Sequence, residues 1–149
     1  GLARWRGEEL EIWQFFARHL GEEKAVVAAA KERIEEHEGL VTFNGSSFDW
    51  PYLCHRWRHH GLPSPALRHH VDVLLMARQR IGYRYGNCRL QTLEARLCGR
   101  RRREDIPSHQ IPGAYRRYLQ SRQTEEIERV LHHNALDLLT TVELLLYLR

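Results

Sequence analysis

The sequence predicts an α/β domain, with α+β as the neighbouring alternative. Strand-like segments come first and then alternate with helical ones, the order expected of layered α/β folds. A continuous apolar run, Leu40-Val41-Thr42-Phe43, has the character of a buried central strand. Helical stretches on either side are closed by Gly39, Gly61 and Gly99.

Taken in order, residues 2–16 read as a hairpin with its turn at Arg6-Gly7-Glu8-Glu9. Residues 22–38 read as a helix. Gly21 precedes it, Glu22 and Glu23 suit its positive end, and Val26, Val27, Ala30 and Ile34 form its inner face. The apolar strand ends in the turn signal Asn44-Gly45, and a helix is expected from Asp49 to His60. Residues 62–65 are loop, and residues 70–75 fit a strand or the start of a helix equally. Residues 82–87 form a Gly/Tyr loop, and residues 90–97 a helix. The stretch 99–113, with its arginine run and two Ile-Pro steps, is the least regular. A short helix at 114–119 precedes a long one that starts at Thr124, a plausible cap, and runs to about Leu148 with a kink near Asn134.

A chain of 149 residues fits one domain. Its 42% hydrophobic and 28% charged residues are ordinary for a soluble protein. No apolar run approaches the ~20 residues needed to cross a bilayer, and the N-terminal segment has no apolar signal core. Three cysteines without framework spacing fit a reducing cytoplasm. The net charge is +4, supplied almost wholly by arginine. That favours a polyanionic partner.

Two short motifs carry the candidate chemistry. In Asn44-Gly45-Ser46-Ser47-Phe48-Asp49, small residues let the chain turn, Phe48 is expected to anchor the turn in the core, and Asp49 projects from the strand end. The same Asp49 before Trp50-Pro51 also reads as a helix cap. In His133-Asn134-Ala135-Leu136-Asp137, His133 and Asp137 stand four apart on one helix face. A carboxylate oxygen suits Mg²⁺ or Mn²⁺, and a histidine one turn away can handle a water proton. A plain polar His–Asp face is the competing reading, and His132 competes with His133. Asp72 reads as a capping carboxylate and Glu94 as solvated. Cys54, His55, His59 and His60 lack the four-ligand spacing of a zinc site. Arg100, Arg101, Arg102 and Arg103, with Tyr115 further on, form a basic and aromatic set suited to gripping nucleic acid.

These motifs, in this order, resemble the ribonuclease-H-like DEDD exonuclease superfamily, and within it the bacterial YprB-like branch. The stretches that carry the resemblance are residues 40–49, His70-Val71-Asp72-Val73-Leu74, Cys88 to Glu94, Asp105-Ile106-Pro107 with residues 111–115, and His132 to Asp137. The resemblance implies a ribonuclease-H-like mixed sheet flanked by helices and a 3′-to-5′ exonuclease acting on DNA or RNA. Asp49 and Asp137 would be metal carboxylates, His133 the residue that orients the attacking water, and two Mg²⁺ or Mn²⁺ ions the cofactors. Asn44 and Ser47, beside Asp49, are assigned to nucleic-acid contact together with Arg100–Arg103 and Tyr115.

One departure stands out. The superfamily's first motif, Asp-x-Glu on the first strand, has no counterpart in residues 1–20. The expectation is therefore an N-terminally truncated domain spanning 1–149, its first strand missing, its two-metal site incomplete, and inactive by itself. The alternative is a ribonuclease-H-like module that binds nucleic acid without cutting it.

Overall fold

A computed structural model describes residues 1–149. Strands β1 (Leu2–Arg6) and β2 (Glu9–Trp13) form the expected antiparallel hairpin, with Leu2 opposite Trp13 and Trp5 opposite Leu10. Gly7 takes a positive φ of 63° at the turn, a backbone conformation that side chains resist. Helix α1 (Glu23–Glu35) follows a single 3₁₀ turn. Strand β3 (Gly39–Thr42) then leads through Asn44 and Gly45 into helix α2 (Asp49–His59).

Strand β4 (His69–Asp72) lies parallel to β3, with Thr42 opposite Asp72, so α2 is the crossover of a β–α–β unit. The ambiguous stretch 70–75 resolves as both alternatives in succession: β4 ends at Asp72 and helix α3 (Val73–Arg80) starts at the next residue. Helices α4 (Leu90–Leu97), α5 (Ile111–Ser121) and α6 (Glu125–Tyr147) complete the chain. Helix α6 is continuous through Asn134, so the expected kink is absent. Nor does Thr124 cap it: its hydroxyl donates to the Glu128 carboxylate at 3.0 Å instead. No helix is long and apolar enough to cross a membrane.

Two cores hold these elements. Val73 and Ala77 of α3, Leu93 of α4, and Leu144 with Leu148 at the end of α6 form one. Val27 and Ile34 of α1 with Trp57 of α2 form the other. The Trp57 indole N–H donates to the Val27 carbonyl at 2.7 Å, which satisfies its one polar atom in the dry interior.

The sheet differs from the expectation of a buried central strand. β1–β2 and β3–β4 are separate two-stranded sheets. β3 pairs only with β4, its side chains alternate between exposed and half-buried, and Val41 is exposed. The apolar run in the sequence is that of a strand flanked on both sides, whereas here one flank is open. β1 and β3 thus each keep an unpaired edge, with backbone donors and acceptors unused. Leu2 to Trp5 and Gly39 to Asn44 line the same cleft, of about 1180 Å³.

Candidate functional site

The turn after β3 is built by Asp72. Its Oδ1 accepts from the Asn44 N–H at 2.8 Å and the Leu74 N–H at 3.1 Å. Its Oδ2 accepts from the Ser46 N–H at 3.1 Å and from the Ser46 hydroxyl. One carboxylate therefore caps α3 and closes the turn that aims α2. Asn44 has a φ of 63°, a left-handed conformation that asparagine tolerates. Gly45 is buried, and a Cβ there would come within 2.4 Å of Thr42.

Burial pushes Asp72 upward, but the hydrogen bonds from Ser46, Asn44 and Leu74 outweigh it, and its pKa lies below the ordinary value. A depressed carboxylate contributes stability that is complete above the unfolded-state pKa near 4 and is lost as pH falls through the lower folded value. Asp72→Asn is expected to cost about 2 kcal/mol at pH 7. That deficit should shrink in urea unfolding at about pH 3, and a deficit unchanged between the two would refute the account.

Asp49, His133 and Asp137 line the cleft between the open strand edges, brought there by α2 and α6. Asp49 is the first residue of α2, and the cap position falls on Phe48 instead. The residue is exposed, yet its carboxyl sits in the cleft wall. There, loss of hydration pushes its pKa up, and the negative charges of Asp72 and Asp137 push further. Phe48 is 69% exposed, so it does not anchor the turn in the core; Gly45 and Asp72 do that work.

Asp137 and His133 are tied into a buried ionic cluster that the linear sequence conceals. Arg102 pairs with Asp137 at 2.8 Å, with Glu94 at 2.7 Å and with Asp105 at 3.3 Å. Glu94, 1% exposed, also accepts from Arg100 at 2.8 Å and from the Thr140 hydroxyl at 2.9 Å. Glu94 is therefore a buried hub, not a solvated residue. His133 is buried, its Nδ1 2.8 Å from both Asp105 oxygens and its Nε2 3.3 Å from Asp137. Burial raises the Asp105 carboxyl, but His133 and Arg102 beside it bring it below the usual range. His132 faces a different, wholly polar cleft together with Arg103 and Arg129.

The basic set divides. Arg100 and Arg102 are turned inward onto Glu94, Glu143 and Asp137, because the buried Glu94 carboxylate, cut off from water, needs cationic partners. Arg101 and Arg103 remain exposed. Tyr115 is a strut. Its hydroxyl donates to the Ala17 carbonyl at 2.9 Å, and its ring packs edge-on against Phe16 and stacks on Tyr118. Asn44 and Ser47 are exposed, Asn44 at the cleft and Ser47 outside it.

The donor set tests the expected metals. No three His, Cys, Asp or Glu side chains converge as a metal cage, and one oxygen of Asp137 is already held by Arg102. A hard divalent ion wants several oxygen ligands, so the residues of this chain do not by themselves fit a two-metal centre.

A β–α–β unit with carboxylates at the ends of its elements and a mixed α/β build are consistent with a ribonuclease-H-like domain. The family model for the RNase H superfamily matches residues 1–149, and the chain belongs to that superfamily. It is also 29% identical, over 99% of its length, to the uncharacterized protein YprB of Bacillus subtilis (strain 168). The chain spans 36% of that relative's length. No solved structure matches the chain significantly. Superfamily membership points to a nuclease-like, nucleic-acid-binding domain of a kind that commonly uses divalent metals.

Proposed function

We propose that this is the hydrolytic domain of a longer nuclease that cleaves phosphodiester bonds of DNA or RNA, working 3′ to 5′ from an end. The observation that supports the reading is the shared cleft: Asp49, His133 and Asp137 reach it from α2 and α6, between two strand edges without partners. An extended segment seated between β1 and β3 would use those edges, and acidic residues on it would supply the carboxylates that a Mg²⁺ or Mn²⁺ centre needs beyond Asp49 and Asp137. In this reading the chain alone is inactive.

The test follows cleavage of 5′-labelled single-stranded DNA and RNA with Mg²⁺ or Mn²⁺, using this chain and a form extended upstream of Gly1. Metal-dependent shortening by the extended form only, lost in Asp137→Asn, is the expected result. Specific cleavage by this chain alone, abolished by Asp137→Asn, would sink the claim of an incomplete centre. The second reading is a module that binds nucleic acid without cutting, favoured by the Arg102–Asp137 pair that already neutralises one carboxylate. No cleavage by either form, with salt-sensitive binding retained, would establish it instead.

A further inference from the structure

Asp105 is absent from the set of cleft-lining residues, yet it makes the shortest contacts to the histidine that lines it. We infer that Asp105 is a positioning residue: it fixes the tautomer of His133, holding the proton on Nδ1 and turning a bare Nε2 toward Asp137 and the cleft. Its functional meaning rests on the nuclease reading above; the tautomer itself rests on geometry.

Both oxygens of Asp105 lie 2.8 Å from His133 Nδ1. An ionised carboxylate accepts and never donates, so Nδ1 carries the hydrogen. A neutral imidazole has one N–H, which leaves Nε2 with a lone pair. Two groups face that nitrogen: Asp137 Oδ2 at 3.3 Å and the Ser108 hydroxyl at 3.4 Å. The hydroxyl can donate to it and the carboxylate cannot.

Two carboxylates therefore compete for a single proton across one ring, and the closer, two-oxygen contact wins. Without Asp105, nothing holds the hydrogen on Nδ1, and the lone pair is free to turn away from the cleft. A histidine that has to take a proton from water needs the first arrangement and is useless in the second.

The rest of the fold holds Asp105 in place. Gln91 of α4 donates to its Oδ2 at 3.1 Å and Arg102 pairs with it. Ile106, the next residue, is 2% exposed and nails the segment to the interior. Glu104, the residue before, has a φ of 56°, which turns the chain sharply, and its carbonyl accepts from Arg129 of α6 at 3.1 Å. Asp105 is thus fixed from four directions at the one place where a carboxylate meets the inner nitrogen of His133.

The experiment is a long-range ¹H–¹⁵N correlation spectrum of the ¹⁵N-labelled chain at about pH 8, above the ordinary histidine range. The His133 ring is identified as the one missing in His133→Gln. The expected spectrum shows a protonated Nδ1 and a bare Nε2, and Asp105→Asn, whose amide can donate, switches the ring to Nε2–H. A wild-type ring protonated on Nε2 overturns the inference even where Asp105→Asn fails to fold, and so does a tautomer that Asp105→Asn leaves unmoved. In the extended form, Asp105→Asn should lower kcat about 10- to 100-fold with KM nearly unchanged, the usual cost of losing a residue that orients a ligand or base. A switched tautomer with unchanged kcat overturns the positioning role. An extended form that never cleaves overturns the nuclease reading and leaves the tautomer result standing.

Discussion

Arg102→Met is expected to lower the free energy of unfolding by about 3–5 kcal/mol, the range for removing one partner from a buried ionic cluster. Three carboxylates depend on this guanidinium: Glu94 at 2.7 Å, Asp137 at 2.8 Å and Asp105 at 3.3 Å. Glu94 is 1% exposed and cannot recover its hydration when the cation leaves. Arg100 stays beside it and softens the loss, but Asp105 and Asp137 are left facing each other across His133. Urea unfolding of the single variant and of Arg102→Met with Glu94→Gln separates lost charge pairing from lost packing. The double variant should recover part of the deficit, because the most deeply buried anion has gone. A single variant within 1 kcal/mol of wild type would show that the cluster contributes little to stability.

The second large effect is in the other core. Trp57→Ala should cost about 4 kcal/mol, since removing a large buried aromatic loses its transfer energy and leaves a cavity. Trp57 has no exposed surface. It packs edge-on against Trp50 with ring centres 5.5 Å apart, and bonds the Val27 carbonyl. Its neighbours Val27 and Ile34 belong to α1, so the indole ties α1 to the crossover helix that carries Asp49, alongside the Arg56–Glu23 ion pair. Trp57→Phe keeps most of the ring and loses the hydrogen bond, which predicts a smaller cost of about 1–2 kcal/mol. Equal losses in the two variants, measured by denaturant titration, would refute the cavity account.

Much of the fold was legible because local signals agreed with the tertiary outcome. The hairpin at Arg6-Gly7, the helix that stops at Leu97 before Gly99, and the capping role of Asp72 all follow from turn and cap chemistry that acts over a few residues. The resemblance of the five motif stretches reached the superfamily that the whole-chain family match shows. What stayed hidden depends on contacts between distant elements. Glu94 looks solvated by its charge, yet Leu90, Leu93 and Leu97 place it on the apolar face of its own helix, a signal present in the spacing. Arg102 looks like any other member of a charge run. Nothing local says that the third and not the fourth arginine points inward, because that depends on α6 passing behind the loop. Hydrophobicity alone puts Phe48 inside, a rule that fails often at exposed turns.

The inward turn of Arg100 and Arg102 also changes how the arginine run meets the salt around it. A free guanidinium that contacts phosphate releases a condensed cation from the nucleic acid, and that release sets how steeply affinity falls with ionic strength. A guanidinium already held by Glu94 and Asp137 has its charge cancelled at home and displaces nothing. Along residues 100–103 the electrostatic footprint is that of roughly two cations, Arg101 and Arg103, and not of four.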